Sequence, residues 1–222
     1  MTKMKSFSKK QSGFTLIEIA IVLVIVGLLL GGVLQGQQLI ENSRVRAAVN
    51  DFNGVPAAAY SYMDRYRRFP GDDGNLAAVQ ARGGAWANVT VGGDNNGSVS
   101  GGINNTFNPT GELLGFWQHL RASGFIAGDP STIGAAAAPQ NPFGGLIGVN
   151  SVLIQGMPAG VNKLCMSNVG GSAALALDGR LDDGAPGTGN FRATAGVNPV
   201  AGAMGATTTY NVDTAYTVCN RM

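Results

Sequence analysis

Three aspartates in the C-terminal half of the chain have the type and spacing that suit a metal ion. Asp178, Asp182 and Asp183 stand in the stretch LDGRLDDGAPGTG, among glycines that let backbone carbonyls turn inward. Calcium takes about six to eight oxygen ligands, which carboxylates and carbonyls supply together. The spacing does not match an EF-hand, and the alternative is a solvated turn whose aspartates accept hydrogen bonds from nearby backbone N–H groups. We predict that the protein requires no cofactor. Calcium is the one ion that these three residues could bind.

A carboxylate inside an apolar segment is the second feature with a chemical meaning. Glu18 is the only charged residue between positions 14 and 34. As a helix rising about 1.5 Å per residue, this segment would cover roughly 30 Å, the hydrocarbon thickness of a bilayer. A carboxylate in hydrocarbon costs several kcal/mol unless it is neutralised or paired, and no Lys or Arg stands three or four positions from Glu18. Cleavage after Gly13 would free the α-amino group of Phe14, which could pair with Glu18 in the same helix or in a staggered neighbour.

A lysine-rich leader precedes this segment. Four lysines come before Gly13, and Lys163 alone follows it. Positive residues on one side of a span place that side in the cytoplasm, so the rest of the chain would be exported. No small-residue cleavage site follows the apolar run, which predicts that the run is kept. Without the leader lysines the formal net charge of +2 would become −2, and nucleic-acid binding therefore gains no support from charge.

The remaining chemistry-bearing residues predict a structural protein. The single histidine, His119, excludes an HExxH site and any site with several histidines. The sequence has no Walker-type lysine, no GxSxG and no CxxC, so we predict that the protein is not an enzyme and that His119 is structural. Cys165 and Cys219 would form a disulfide in an exported domain. The alternative for the two cysteines is a pair of buried free thiols.

The stretch GFTLIE, residues 13–18, follows the basic leader and opens the apolar segment. In this context it resembles the class III signal of type IV prepilins and type II secretion pseudopilins. The resemblance implies that a prepilin peptidase cuts between Gly13 and Phe14 and N-methylates Phe14. It also implies that Glu18 is the carboxylate that sets the register when the helices bundle into a filament.

The same resemblance implies partners and a location. The chain would assemble with itself and with other pilins, on an inner-membrane assembly platform driven by a cytoplasmic ATPase. It would begin as a single-pass precursor in the bacterial inner membrane, with its head in the periplasm, and end in a surface filament or a periplasmic pseudopilus. Some pseudopilins bind calcium in a C-terminal loop, which extends the analogy to the three aspartates.

Several functions stay open at this point. We predict a structural subunit of a type IV pilus-like filament. The alternatives are a type II secretion pseudopilin that acts in protein export, and a minor tip pilin whose head binds a surface or DNA. An unprocessed signal anchor, with Glu18 only reaching toward the interface, would leave the spacing of Gly13, Phe14 and Glu18 unexplained.

The elements that must position these residues follow from periodicity. We predict four segments: a leader at 1–13, a membrane-spanning or filament-core helix at 14–35, its amphipathic continuation at 36–67, and an exported head at 68–222. Apolar residues spaced by three and four favour a helix that reaches about residue 67. Gly54 and Pro56 should weaken or kink this helix.

The head is predicted to be α+β, with a long helix packed on a small antiparallel sheet and glycine- and asparagine-rich loops, as in the type IV pilin fold. Short helices are expected at 75–82, at 111–123 and from a cap at Ser172 to 178. Strands are expected at 146–149, 152–155 and 207–219. The resemblance implies that Cys165 and Cys219 bound the C-terminal region.

Overall fold

A computed structural model describes residues 13, 15–196, 207 and 209–222 of the chain. Most of the predicted leader, together with Phe14, therefore lies outside the described residues. The chain forms two compact units, Met1–Glu41 and Asn42–Met222. The first contributes the start of the long helix, and the second contains the head.

The long helix, α1, runs from Leu16 to Tyr66. It passes through Pro56 without ending, although proline removes one backbone donor from a helix interior. Phe52, Ala59 and Tyr62 are buried on either side of this point. Packing of this apolar face outweighs the loss of one hydrogen bond, since most helical stability in proteins comes from tertiary contacts. The helix ends at Tyr66, which confirms the predicted reach to about residue 67, and the kink expected at Gly54 and Pro56 stays a prediction.

The head contains one four-stranded antiparallel sheet, which confirms the predicted α+β class. Its strands are β1 (Ile147–Asn150), β2 (Lys163–Gly170), β3 (Phe191–Ala195) and β4 (Ala215–Arg221). They lie in the order β1-β2-β4-β3, and every neighbouring pair is antiparallel.

The strand predicted at 146–149 is confirmed as β1, while the sheet corrects the other two strand predictions and adds two strands. Residues 152–155 form no strand, because Ile154 and Met157 exchange backbone hydrogen bonds across a tight turn. Neither β2 nor β3 was expected, since β2 mixes polar and apolar residues and contains a bulge after Met166, where Asn168 has a φ of 58°. The last strand is shorter than 207–219 and begins at Ala215.

Three shorter α-helices complete the head: α2 (Leu76–Gln80), α3 (Glu112–Ala122) and α4 (Gly171–Leu181). Asn75 caps α2, and its side chain accepts a hydrogen bond from the Ala78 N–H at 3.0 Å. The predicted cap at Ser172 is wrong, because α4 begins one residue earlier with Gly170 as its N-cap. Short 3-10 turns lie at Gly84–Asn88, Ile103–Asn105 and Gly134–Ala137.

The main core of the head lies between α1, α3 and one face of the sheet. Phe52 of α1 meets Phe191 of β3 edge to face, with ring centroids 5.5 Å apart. Such aromatic pairs add to the stabilisation from burial alone. The helices contribute Val45, Phe52, Tyr62, Leu113, Phe116, Trp117 and Leu120, and the strands contribute Leu164, Met166 and Val218.

A second, smaller cluster lies on the other face of the sheet. Cys165 of β2 is directly opposite Cys219 of β4, and the two form a disulfide with a Cα–Cα distance of 4.0 Å. Side chains alternate across a strand, so Leu164 enters the main core while Cys165 points away from it. Phe107, Ile154 and Met157 pack in the same cluster as the disulfide.

Candidate functional site: the start of the long helix and the aspartate loop

The first half of α1 has the length and composition of a membrane span. Among the described residues, α1 is the one helix that is apolar enough to cross a bilayer. Its large apolar side chains from Leu16 to Leu34 are exposed. A soluble surface does not tolerate so long an apolar face, so lipid or other helices must cover it.

Glu18 lies in the first turn of this helix and is held by Thr15. Its Oε2 atom accepts hydrogen bonds from the backbone N–H and from the hydroxyl of Thr15, both at 2.8 Å. The Thr15 Oγ1 atom in turn accepts the Glu18 N–H at 3.3 Å. This reciprocal arrangement is a capping box, in which the first and fourth residues of the helix start satisfy each other's free donors.

Both bonds from Thr15 reach the same carboxylate oxygen. Within the described part of the chain, Oε1 of Glu18 has no such partner. An ionised carboxylate accepts through both oxygens, so Oε1 can take a donor from another chain or from a processed N-terminus. The predicted pairing with the Phe14 amine involves a residue outside the described part, and it stays a prediction.

The three predicted aspartates come together at the end of α4: Asp178 lies in the helix, Asp182 is its C-cap and Asp183 follows, and we call this segment the aspartate loop. One carboxylate oxygen from each of Asp178, Asp182 and Asp183 lies within 4.8 Å of the other two. Asp178 is fully buried. It accepts hydrogen bonds from the Gly184 N–H at 2.9 Å and from the Tyr210 hydroxyl at 2.6 Å.

The other two aspartates also accept hydrogen bonds from the loop. Oδ2 of Asp182 accepts the N–H groups of Asn190 and Phe191, and Asp183 accepts the N–H of Ala185. Each carboxylate oxygen has two lone pairs, so these bonds leave acceptor capacity for a hard cation. The residues fit calcium and also the alternative of a turn held by its own backbone.

Burial, hydrogen bonds and neighbouring charges shift the pKa values of the carboxyls in this loop in opposite directions. Burial raises the pKa of Asp178, although hydrogen bonds from Tyr210 and Gly184 lower it and the neighbouring aspartates raise it further. Hydrogen bonds from Thr188 and Ala185 lower the pKa of Asp183. A cation between these groups would relieve the repulsion that the three carboxylates exert on one another.

A protein-family model, described as the prokaryotic N-terminal methylation motif, matches residues 8–34. Residues 8–34 are a class III prepilin signal. The prepilin signal is shared by type IV pilins and pseudopilins, and the long helix on a four-stranded antiparallel sheet is consistent with their α+β fold. Comparison with curated proteins finds no match to the chain.

Gly13, the predicted last residue of the leader, lies inside the matched motif. Gly13 is exposed, and a Cβ atom added to it would meet nothing within 4 Å. The fold of this chain therefore does not require glycine there. We interpret the glycine as a requirement of the processing enzyme, and the predicted roles of Gly13 and Phe14 remain predictions.

Sequence reasoning missed the contribution of Thr15 to the prepilin signal. The T-x-x-E spacing of Thr15 and Glu18 is a known sign of a helix start, and it was available in the sequence. The partner that Glu18 has in the structure is therefore neutral and not a cation. The hydroxyl lowers the cost of the carboxylate in an apolar segment without supplying a charge.

Sequence reasoning also missed a second acidic cluster in the head. One oxygen from each of Asp72, Asp94 and Glu112 lies within 4.8 Å of the others. The two aspartates stand in glycine-rich stretches that are typical of turns, and Glu112 stands far from Asp72 in sequence. Asp72 accepts the Gly97 N–H at 2.6 Å, and Glu112 accepts the Ser100 N–H at 3.1 Å. The cluster therefore joins two loops to α3.

His119 has the structural role that the sequence predicts. It is fully buried on α3, where its Nδ1 accepts the Gly71 N–H at 3.0 Å and its Nε2 lies 2.9 Å from the Val91 carbonyl oxygen. Because Nδ1 is an acceptor, the neutral ring carries its proton on Nε2 and donates it to Val91. The ring stacks on Tyr62 at a centroid distance of 6.1 Å.

We expect His119 to make the head less stable in mild acid. Burial lowers its pKa below the usual 6.5, so the unfolded chain binds a proton more readily than the folded one. Stability is then complete above pH 6.5 and falls as the pH drops below it, by up to about 1.4 kcal/mol per unit until the folded pKa is reached. Melting temperatures of the full chain in detergent between pH 7 and pH 5 would measure this slope. His119→Gln, whose amide can both accept and donate, should flatten the slope, and an unchanged slope would contradict the assignment.

Proposed function

We propose that this chain is a structural subunit of a type IV pilus-like filament. The observation that carries the proposal is the prepilin signal at residues 8–34, which includes the exposed apolar start of α1, a helix that continues into a folded head. Cleavage after Gly13 and methylation of Phe14 would produce the mature subunit. Its α1 helices would then bundle through van der Waals packing and interhelical polar contacts, because lipid already covers their apolar side chains before assembly.

Glu18 has two successive partners in this proposal. In the membrane, the capping box with Thr15 satisfies Oε2 and lowers the cost of the carboxylate. During assembly, Oε1 receives the free amine of Phe14 from a neighbouring subunit. A buried charge pair of this kind is the best-attested way for a polar residue to fix register among apolar helices.

The remaining partners and the location follow from the same proposal. The precursor would span the inner membrane once, with its N-terminus in the cytoplasm and its head in the periplasm. A prepilin peptidase would process and methylate it, and an assembly platform with a cytoplasmic ATPase would polymerise it with itself and other pilins. The chain itself would perform no catalysis.

Electron microscopy of surface structures sheared from cells tests the proposal. Antibodies against the head should label fibres along their length, and deletion of the chain should remove the label. Processed chain that stays in the membrane fraction, with no labelled fibre, would contradict a surface filament. That second result would favour the pseudopilus described next.

The aspartate loop favours a second candidate, a type II secretion pseudopilin that binds calcium. Asp178, Asp182 and Asp183 come together at the end of α4 with oxygen atoms within 4.8 Å of one another. In this alternative the subunit forms a short periplasmic filament that acts in protein export. The prepilin signal, the processing and the role of Glu18 are the same in both candidates.

We expect calcium to raise the melting temperature of the full chain in detergent if this loop binds it. Saturation at about one hundred times the dissociation constant stabilises a protein by about 2.7 kcal/mol, which corresponds to roughly 5–10 °C for a chain of this size. Differential scanning calorimetry with calcium, and with magnesium for comparison, would measure the shift.

Two aspartate variants control this calcium measurement. The double change Asp182→Asn and Asp183→Asn removes two of the charges and should abolish the shift. Asp213→Asn changes an exposed aspartate outside the cluster and should preserve it. Equal melting temperatures with and without calcium in the unchanged chain would leave the loop as a turn held by its own hydrogen bonds.

A further inference from the structure

The connection between β1 and β2, residues 151–162, lies on the face of the sheet that carries the disulfide. We call it the strap. Ile154 and Met157 of the strap are buried in one cluster with Cys165 and Cys219. Both cysteines are completely buried. The strap is therefore part of the cover that separates the disulfide from solvent.

The side-chain amine of a lysine in the sheet donates hydrogen bonds to the strap. Lys163, the first residue of β2, is fully buried. Its Nζ donates to four backbone carbonyl oxygens of the strap: Pro158 at 2.7 Å, Val161 at 2.8 Å, Val152 at 2.9 Å and Ser151 at 3.3 Å. These four carbonyls come from both ends of the strap. The Lys163 Nζ atom therefore links the two ends to each other.

The arrangement is that of a cation site filled by a side chain. An ammonium group has three hydrogens and no acceptor, so four carbonyl oxygens surround it completely, with the longest contact shared. Burial and the Arg221 guanidinium lower the pKa of Lys163 to about 8, and the carbonyl oxygens oppose that shift because they stabilise the charged form. The group is thus cationic at neutral pH.

Two further hydrogen bonds, which do not involve Lys163, hold the middle of the strap. Gln155 has a φ of 52°, and its Nε2 donates to the Thr217 carbonyl at 2.8 Å, two residues before Cys219 on β4. Arg192 of β3 donates to the Gln155 carbonyl at 3.1 Å. The strap is therefore fixed at both ends by Lys163 and in its middle by the neighbouring strands.

We propose that the Lys163 ammonium is a clasp that holds the strap over the disulfide and protects the Cys165–Cys219 bond from reductants. Lys163 and Cys165 are two residues apart on β2, so both side chains point to the face that the strap covers. Release of the four carbonyls would let the strap open while the main core, on the opposite face, stays folded. Such local opening sets the rate at which a buried disulfide meets a reagent.

The rate of disulfide reduction in the folded protein tests the clasp. The full chain in detergent is treated at neutral pH with a phosphine reductant, and the thiols that appear are alkylated and counted by mass spectrometry. Lys163→Met keeps the length of the side chain and removes the ammonium, so reduction should become at least about tenfold faster, because four carbonyl acceptors of the strap lose their donor. Arg180→Met removes an exposed positive charge elsewhere and should leave the rate unchanged.

A core variant separates strap opening from global unfolding. Leu120→Ala leaves a cavity on α3 in the main core and lowers overall stability without touching the strap. Each variant is treated at the same number of degrees below its own melting temperature. If the disulfide of Lys163→Met is then reduced much faster than the disulfide of Leu120→Ala, the clasp is supported. If the two reduce equally fast, or Lys163→Met reduces at the unchanged rate, the proposal is overturned.

Chemical rescue keeps the proposal testable if the methionine variant does not fold. Lys163→Ala leaves space for a small ammonium ion among the four carbonyls, so methylammonium should slow reduction, while tetramethylammonium, which has no N–H, should not. If no Lys163 variant folds, Gln155→Met removes the other anchor and must accelerate reduction as well. Equal action of the two ions, or an unchanged rate in Gln155→Met, would overturn the proposal.

Discussion

Replacing Glu18 with alanine is expected to abolish filament assembly while the chain stays in the membrane. Removal of an acidic side chain makes an apolar helix easier to insert, by a few kcal/mol near the centre of a bilayer and less near its edge. In the filament the same change leaves the Phe14 amine unpaired. Loss of one partner from a buried pair costs about 3–5 kcal/mol, so filament yield should fall by at least about a hundredfold.

The capping box requires a second variant, because Glu18→Ala also removes a helix cap. Glu18→Gln keeps an acceptor for Thr15, since glutamine serves in a capping box as glutamate does, but it carries no charge. If pairing with the amine is essential, both variants fail to assemble. If Glu18 acts only as a cap, the glutamine variant assembles normally and the pairing argument is wrong.

Matched controls make the assembly measurement specific. Glu41→Ala removes a glutamate from the same helix, well beyond the apolar segment, and should assemble normally. Membrane fractions should contain all three variant chains at similar levels. The yield of sheared filament, divided by the amount of chain in the membrane, is the quantity to compare.

Replacing Gly13 with leucine is expected to block processing and, with it, assembly. A Cβ atom at Gly13 would meet nothing within 4 Å in this chain, so the change should disturb neither insertion nor the head. Any loss of cleavage must then arise in the active site of the peptidase, where a bulky side chain before the scissile bond would not fit. Immunoblots should show the precursor accumulating and less than about a tenth of the chain in the mature form, since an ill-fitting group at a reacting centre costs a hundredfold or more.

A second glycine provides the control for this experiment. Gly27 lies within α1, and a Cβ atom there also meets nothing within 4 Å. Gly27→Leu should therefore be cleaved at the normal rate, whatever it does to helix packing in a filament. Cleavage of Gly13→Leu at the normal rate would show that the peptidase does not depend on this glycine.

The long helix and the prepilin signal could be predicted because their signals are local. The apolar run of α1 contains no charged residue from Ile19 to Leu34. The residues of GFTLIE stand next to one another in the chain, so their spacing can be recognised without the fold. Helix α3 was also predictable, because its apolar residues recur at helical spacing before a stop at Gly124. The continuation of α1 through Pro56 depends on the burial of Phe52 and Tyr62, a tertiary effect that the local sequence does not show.

The sheet and the strap could not be predicted for a related reason. β2 includes Lys163, whose burial is possible only because carbonyl oxygens of the preceding strap fold around its amine. Residues 152–155 have the apolar character of a strand. The turn at Gln155 and the hydrogen bonds from Lys163 hold them in a non-strand conformation instead. Acidic clusters share this limit, since Glu112 joins Asp72 only after the chain has folded.

Mass spectrometry of the N-terminal peptide tests the central claim most directly. Chain isolated from sheared surface material and from membranes would be digested, and peptides covering residues 1–44 would be sought in both. The account predicts a peptide that begins with N-methylated Phe14, enriched in the sheared material. An intact leader, with Gly13 still joined to Phe14 in every fraction, would contradict it and leave an unprocessed membrane anchor.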